Sequence, residues 1–301
     1  MKILHTSDWH LGQKFYRQYD REQEHDDFIN QLHEIIRTER PDVMVLSGDV
    51  FDSSAPSNAV QTRFVKHILS LHNGRPDMTS VITAGNHDSA SLIEVNRLLW
   101  EQQQVYVIGS LGKDENNQID LDRLIIPLAD KGWIIALPHI WPGHYPSMDD
   151  ENDPSQRQRI FYEALYQRIE ERNAQQLPVV MMAHLAIRNS NFSGHNTQVI
   201  FDNEPLIGNM EQYDLQEVGN GYDYLALGHI HAQQTLRNQR ARYSGSPIPL
   251  SFDEPQHHSV TIVEVATHGD MPIIREVPIR PLRKMLTLQA TDAQDAKGQL
   301  I

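Results

Sequence analysis

The feature that most constrains the fold is a repeated order along the chain: a short apolar run, a polar residue able to bind metal, and then a segment with helical periodicity. The apolar runs include "MKIL", "VMVL" and "PVVMM". Segments such as "DDFINQLHEIIRTER" and "NAVQTRFVKHILSLH" carry apolar residues at helical spacing. Strands that alternate with helices predict βαβ units and a largely parallel sheet.

Polar side chains with ligand chemistry stand where the predicted strands end. They are Asp8, His10, Asp49, Asn86, His87, Asp88, His184, His229 and His231. The carboxyl ends of parallel strands lie at one edge of a sheet, so we expect these side chains to converge there. Positions two apart on an extended segment point the same way, which lets Asp8 and His10 bind a single ion.

The number and type of these donors predict a metal site with more than one ion. The inventory exceeds what a single ion accepts, and two metals that share a bridging carboxylate fit it better. A mixed nitrogen and oxygen donor set suits manganese, iron or zinc better than calcium. The chain has no cysteine, which excludes disulfides and thiolate ligands.

Composition limits the class of protein further. A chain of 301 residues is long enough for one large α/β domain. A net charge of -14 argues against coating nucleic acid by bulk electrostatics. No apolar run approaches the roughly 20 residues that span a bilayer, so we expect no membrane contact. The start "MKILHTSDWH" does not resemble a signal peptide, and we expect a cytoplasmic protein.

Five motifs in order, "DWH", "GDVFD", "GNHD", "MMAHL" and "GHIH", resemble the calcineurin-like metallophosphoesterase superfamily. The longer stretches "ILHTSDWHLGQ" and "YSGSPIPLSFDE" are similar to the SbcD family of bacterial nuclease subunits. The resemblance covers about residues 1 to 280. It implies a four-layer α/β sandwich, with two central sheets flanked by helices. It further implies a nuclease domain over residues 1–275 and the beginning of a truncated capping domain over residues 276–301.

The resemblance also implies roles for the site residues. One ion would be held by Asp8, His10, Asp49 and His231, and the other by Asp49, Asn86, His184 and His229. Asp49 is then the bridge between two divalent ions, with Mn²⁺ as the usual metal. His87 would bind no metal and would act on the scissile phosphate, either stabilising the transition state or protonating the leaving oxygen. Asp88 would orient His87.

The activity that the resemblance implies is hydrolysis of DNA phosphodiester bonds by a metal-activated hydroxide. Family members act as 3' to 5' exonucleases on duplex ends and as endonucleases on single strands or hairpins, in DNA repair and recombination. They work with an SbcC-type ATPase. The segment that docks on this ATPase would follow a complete cap, so we expect it to be absent from this chain.

Two other functions compete with a DNA nuclease. A calcineurin-like phosphodiesterase acting on a small molecule or a phosphoprotein would share the metal motifs, although "YSGSPIPLSFDE" favours the nuclease. A non-catalytic scaffold would recruit the ATPase alone, and the intact ligand set argues against it.

Several residues have both a functional and a structural interpretation. The segment "GQKFYRQYDR" places Lys14, Arg17 and Arg21 among aromatic residues and predicts contacts with DNA phosphates, although a solvated loop has the same pattern. Asp52 and Asp88 are also typical turn residues. Two apolar stripes indicate helix faces directed to the core, and the resemblance allows part of them to form a homodimer interface. They are Val60, Phe64, Ile68 and Leu71, and Leu92, Val95, Leu98 and Leu99.

Overall fold

Two six-stranded β-sheets form the centre of the protein. The computed structural model describes residues 1–15, 18–141, 143–147, 156–193, 212–252, 254 and 257–285. Within them, the strands are β1 (Lys2–Thr6), β2 (Lys14–Phe15), β3 (Tyr19–Asp20), β4 (Val43–Ser47), β5 (Thr79–Thr83), β6 (Val105–Ile108), β7 (Ile125–Pro127), β8 (Trp133–Ala136), β9 (Val179–His184), β10 (Ala186–Ile187), β11 (Gln212–Tyr213), β12 (Tyr224–Gly228), β13 (Gln234–Thr235), β14 (Ala241–Tyr243), β15 (His258–Glu264) and β16 (Ile273–Ile279). The helices are α1 (Glu22–Glu39), α2 (Asn58–Gly74), α3 (Ala90–Glu94), α4 (Arg97–Glu101) and α5 (Arg157–Glu170).

Each sheet has a parallel centre, as the strand and helix alternation predicts. The first sheet has the order β16-β15-β1-β4-β5-β6, and its strands β1, β4, β5 and β6 run parallel. The second has the order β13-β14-β12-β9-β8-β7, with β14, β12, β9 and β8 parallel. Antiparallel strands complete both sheets at their edges. Parallel centres place the carboxyl ends of these strands along one edge of each sheet.

Successive residues of β4 show how the layers pack. Val43 and Val45 belong to the core between the two sheets, whereas Met44 and Leu46 belong to a second core that includes residues of α1 and α2. Side chains alternate between the two faces of a strand, so a strand that is apolar throughout must be covered on both faces. The cluster that contains Val43 and Val45 also includes successive residues of β9, and so both faces of the second sheet, together with Phe161 and Leu165 of α5. The expected four-layer α/β sandwich is confirmed.

The two apolar stripes predicted from the sequence differ in how far they are buried. Phe64, Ile68 and Leu71 of α2 are buried and Val60 is half-buried, as expected for a core-facing helix. The second stripe runs over two short helices, α3 and α4, with Val95 between them. There Val95, Leu98 and Leu99 are 69%, 69% and 64% exposed, and Leu92 is half-buried. The interpretation as a core face is therefore wrong for Val95, Leu98 and Leu99, whereas Leu92 packs against the core beside the buried Ile93 and Trp100.

The expected capping domain falls largely outside the described residues, which end at Met285. The segment "IIREVPI" forms β16, an edge strand paired with β15. The segment "KMLTLQA" continues beyond residue 285 and so lies largely outside the described part of the chain.

Candidate metal centre

The predicted ligands converge at the carboxyl ends of the parallel strands. Asp8 and His10 follow β1, Asp49 follows β4, Asn86 follows β5, His184 ends β9, and His229 and His231 follow β12. Three groups among the described residues bring ligand atoms within 4.8 Å of one another. They are Asp8, His10 and His231; His10, Asp49 and His87; and Asp49, His184 and His229. These overlapping clusters are compatible with a two-metal site.

The backbone turns sharply where the ligands are presented. Asp8, His10, Asp49 and His229 all have positive φ angles, of 54°, 45°, 49° and 94°. Non-glycine residues adopt this conformation rarely, at a cost on the order of 1–3 kcal/mol each, and such residues cluster at functional sites. Backbone hydrogen bonds hold the turns, including Asp8 N–H to the Gly48 carbonyl at 3.1 Å and His10 N–H to the Asp49 carbonyl at 3.0 Å.

Two glycines make room for the ligands. A Cβ atom on Gly85 would lie 2.1 Å from Asp49 Oδ1, and one on Gly48 would lie 2.1 Å from His184 Nδ1. Both distances are far below van der Waals contact, and Gly48 also has a φ of 81°. Any larger residue at either position would displace a predicted ligand.

One side of the site is built around His184 and Asn86. His184 Nε2 lies 3.0 Å from Asn86 Oδ1 and 3.3 Å from Asp49 Oδ2. The same amide oxygen lies 2.9 Å from His229 Nδ1. The Nδ1–H of His184 donates to the Ser47 carbonyl at 2.9 Å, which directs Nε2 towards the carboxylate and amide oxygens.

The other side is built around His10. Its Nε2 lies 3.5 Å from Asp49 Oδ2, and its Nδ1 lies 3.4 Å from Asp52 Oδ1. Among the described residues, neither nitrogen of this buried ring has a hydrogen-bond partner. Buried polar atoms are normally satisfied, so an imidazole left between carboxylates fits a role in metal binding.

Asp8 is held in place from both sheets. Ser7 Oγ donates to Asp8 Oδ2, and the backbone N–H of His229 donates to Asp8 Oδ1 at 3.0 Å. Ser244, which follows β14, lies 2.8 Å from Ser7 through the two hydroxyl oxygens. The carboxylate therefore has a fixed orientation before any ion binds.

Electrostatics couples the histidines to Asp49. Burial lowers the pKa of His10, but the carboxylates of Asp52, Asp49 and Asp8 outweigh it and raise the pKa to about 9. Burial likewise lowers the pKa of His184, and Asp49 and Asp8 outweigh it, again to about 9. Burial raises the pKa of Asp49, and the nearby His184, His10 and His87 hold it well below its ordinary range. In the metal-free protein, protonated imidazoles therefore balance the charge of Asp49.

These shifts predict how the stability of the metal-free protein depends on pH. The folded-state pKa of His10 and His184 is about 9, above the ordinary value of 6.5, so their contribution is fully present below pH 6.5 and is lost as pH rises through 9. With EDTA present, the melting temperature should fall between these pH values. Asp49→Asn removes the carboxylate charge and should flatten the slope. A flat profile for the unaltered protein would contradict the coupling.

His87 lies at the junction of the clusters. Its backbone N–H donates to Asp49 Oδ1 at 3.0 Å, and its Nδ1–H donates to the Asp52 carbonyl at 2.9 Å. Its ring packs edge-to-face against His10, with ring centroids 4.8 Å apart. Because Nδ1 is engaged by the carbonyl, Nε2 is the ring nitrogen available for chemistry.

Asp88 does not have the place expected for a residue that orients His87. Its carboxylate accepts three backbone N–H groups, from Val50 at 3.0 Å, Phe51 at 2.9 Å and Gly85 at 2.8 Å. Burial and the charge of Asp49 raise the pKa of Asp88 to about 6. The expected role of Asp88 is corrected: it ties the loop after β4 to the loop after β5, and the Asp52 carbonyl holds the His87 ring.

The three residues predicted to contact DNA do not share one exposed surface among the described residues. Lys14 is exposed, with its ammonium 4.0 Å from Asp20, whereas Arg17 lies outside the described residues. Arg21 is buried, and one guanidinium nitrogen donates to Gln13 at 2.7 Å and to the Pro249 carbonyl. The expectation for Arg21 is corrected, because its donors serve the fold.

Two residues near the site were not predicted from the sequence. Glu254 is buried, and its Oε1 lies 3.1 Å from His231 Nδ1. His139 lies between the two sheets' strand ends, and its Nδ1–H donates to the His184 carbonyl at 2.9 Å. Glu254 belongs to the "YSGSPIPLSFDE" stretch, so a signal existed for it, whereas His139 carried no signal beyond its residue type.

The fold and the metal centre define a class of enzyme. The model of the calcineurin-like phosphoesterase family matches residues 1–233. The chain belongs to this family and is a phosphoesterase. Among the helices of the described residues, none combines the length and the apolar character that a membrane span requires.

Within this family, the chain is similar to proteins named as the SbcD component of the nuclease SbcCD. It is 32% identical to the one from Rhodobacter capsulatus over 293 residues, which cover 93% of this chain and 71% of that protein. It is 28% identical to the one from Escherichia coli K12, over 96% of this chain and 71% of that protein. A dimetal phosphatase from Danio rerio has the same fold, with a TM-score of 0.52, 14% identity, and coverage of 92% of this chain and 98% of that one.

Proposed function

We propose that the chain is a metal-dependent DNA nuclease that hydrolyses phosphodiester bonds with two divalent ions. The observation that carries this proposal is a series of three ligand clusters, the first two sharing His10 and the last two sharing Asp49, in a chain similar to SbcD nuclease proteins along nearly its whole length. Divalent ions in such a site activate water and offset the negative charge of the phosphate. The chain's own residues hold the ions and place His87 beside them.

The proposed ligand sets are those that the family resemblance implies, and the clusters of ligand atoms are compatible with them. One ion is assigned to Asp8, His10, Asp49 and His231, and the second to Asp49, Asn86, His184 and His229. Asp49 is proposed as the bridge because its Oδ2 lies within 3.5 Å of His10 Nε2 and within 3.3 Å of His184 Nε2. Manganese is the proposed metal because the family resemblance implies it; the mixed nitrogen and oxygen donor set suits iron and zinc as well.

The proposed reaction includes 3' to 5' exonuclease cleavage of duplex ends and endonuclease cleavage of single strands and hairpins. We place it in DNA repair and recombination, in the cytoplasm, with an SbcC-type ATPase as partner. These assignments rest on the similarity to the SbcD proteins of the nuclease SbcCD.

The test is cleavage of DNA duplexes labelled at the 5' or the 3' end, with Mn²⁺ or with EDTA. We expect a Mn²⁺-dependent product ladder whose labelled ends report the polarity. Bis-p-nitrophenyl phosphate in the same reactions reports whether the metal centre works. Hydrolysis of this small diester without DNA cleavage would favour the alternative, a phosphodiesterase acting on a small molecule or a phosphoprotein.

Glu254 should fix the orientation of His231 for its ion. A carboxylate that accepts the Nδ1–H of a histidine leaves Nε2 for the metal, and loss of such a partner typically lowers metal affinity by about 10–100-fold. We therefore expect Glu254→Ala to weaken Mn²⁺ binding in a calorimetric titration by about this factor. Glu254→Gln keeps an acceptor oxygen and should restore most of the affinity. Equal affinities for the alanine variant and the unaltered protein would contradict this role.

We further propose a homodimer formed through the exposed apolar stripe of α3 and α4. Val95, Leu98 and Leu99 are each more than 60% exposed, and Leu69 of the neighbouring α2 is 40% exposed. Phe64 of α2 packs on Trp100 of α4 with ring centroids 6.2 Å apart, so the two helices share one surface. Clustered exposed apolar side chains are typical of interfaces.

A charge in this stripe should dissociate the dimer. We expect Leu98→Glu to change the mass measured by light scattering from that of two chains to that of one. Met271→Glu is the matched control, because Met271 is 54% exposed and lies in the turn between β15 and β16. A monomeric unaltered protein across the micromolar range would exclude the proposed interface.

A further inference from the structure

The loop after β8 is fastened to the metal centre from both sheets. Leu137 N–H donates to the Met182 carbonyl of β9 at 3.1 Å, and His139 N–H donates to the Ala84 carbonyl at 2.7 Å. Ala84 lies two residues before the proposed ligand Asn86, and the His139 ring donates to the carbonyl of the proposed ligand His184. Leu137 and His139 are therefore held beside the site.

The loop carries Trp141, which is 55% exposed. The other tryptophans, Trp9, Trp100 and Trp133, are buried or half-buried. The indole of Trp141 packs edge-to-face on His139, with ring centroids 4.7 Å apart. His139 in turn stacks on His229 at 6.3 Å and meets His184 edge-to-face at 5.9 Å. One imidazole ring thus separates an exposed indole from two proposed metal ligands.

We propose that Trp141 forms a stacking site for an unpaired nucleobase next to the phosphodiester at the metal centre. This inference rests on the proposed nuclease function and specifies how the substrate is held. Bases stack on aromatic side chains with little dependence on sequence, because every base presents a flat π face. An edge-to-face contact with His139 fixes the indole by one part of the ring while more than half of the side chain stays accessible.

The charge of the chain makes an uncharged contact of this kind valuable. With a net charge of -14, the protein gains little from bulk attraction to the phosphate backbone. Stacking does not depend on charge, and an unpaired base is available in single strands, hairpin loops and frayed duplex ends. The site therefore selects DNA whose bases are free to leave the duplex.

The experiment measures DNA binding separately from cleavage. Two ligands of equal length and charge are compared: a single-stranded oligonucleotide, and an abasic oligomer of deoxyribose phosphate that carries no bases. We would titrate both, with EDTA present, against the full chain and follow fluorescence anisotropy of a dye on the DNA. The unaltered protein should bind the oligonucleotide about 10-fold more tightly than the abasic oligomer. Trp141→Ala should bind both equally, and Trp141→Phe should keep most of the preference.

Two controls separate stacking from other effects. Ile273→Ala removes an apolar side chain that is 70% exposed. Ile273 lies in the edge strand β16, where it pairs with Glu264 of β15. This variant should keep the full preference for the oligonucleotide. Quenching of indole emission by the oligonucleotide should disappear in Trp141→Phe. An undiminished preference in Trp141→Ala, or no preference in the unaltered protein, overturns the stacking site. A full Trp141-dependent preference without Mn²⁺-dependent DNA cleavage overturns the nuclease proposal alone.

Discussion

Asp49→Ala is expected to release both metal ions and to reduce phosphodiester cleavage to the level measured with a chelator. One oxygen of this carboxylate lies 3.5 Å from His10 Nε2 and 3.3 Å from His184 Nε2, between the two proposed ligand sets. No other residue belongs to both proposed sets. Its removal therefore leaves each ion with three protein donors and no bridge. Elemental analysis after gel filtration measures the metal content directly.

The variant should still fold, because loss of the carboxylate charge lets the buried His10 and His184 become neutral. Circular dichroism checks this point before the metal is counted. Asp77→Ala is the matched control, since Asp77 is exposed and belongs to neither ligand set, and it should keep both ions. If Asp49→Ala also retains both, the bridging assignment is wrong.

His87→Ala is expected to keep both ions and to lose most turnover. General acid catalysis or transition-state stabilisation by a positioned side chain typically contributes about 10²–10⁴-fold, and we expect a loss in kcat of this size. The structure also offers a competing role, because His87 forms one of the ligand clusters with His10 and Asp49. Metal content and kcat together distinguish the roles.

Metal content is measured for each variant, and kcat is measured with bis-p-nitrophenyl phosphate and with DNA. His257→Ala is the matched control, since the His257 side chain is 56% exposed and bonds to Glu276. Loss of one ion in His87→Ala would make His87 a ligand. A rate equal to that of the unaltered protein would remove it from the mechanism.

The position of the site was predictable because it follows from topology. Parallel strands deliver their carboxyl ends to one edge, so Asp8, Asp49 and Asn86 had to meet once the strands were recognised. His184 and His229 belong to the second sheet, and their approach to Asp49 depends on how the sheets pack. Strand order alone does not fix how the two sheets pack. The approach of the second sheet's histidines to Asp49 was therefore predicted only through the family resemblance.

The errors have a common physical cause. The local sequence pattern shows how apolar or charged a residue is, but it does not show which other residues pack against it. Val95 and Leu98 have the spacing of a core stripe yet lie exposed, and Arg21 is charged yet lies buried. Arg21 is accommodated because the distant Pro249 carbonyl and Gln13 accept its hydrogen bonds. Glu254 was not predicted for the same reason, since its contact partner His231 lies 23 residues earlier in the chain, before β13 and β14.

The division of the metal centre between two sheets also determines when the centre comes into existence. Asp8 and His10 leave the ribosome early, whereas His229 and His231 emerge more than two hundred residues later. A nascent chain without these last histidines lacks a donor in each proposed ligand set. On the proposed ligand sets, the full set of donors is therefore assembled only after the residues that follow β12 have been made and β12 has paired with β9. The long separation of the proposed ligands along the chain thus makes the metal centre one of the last features of the fold to be completed.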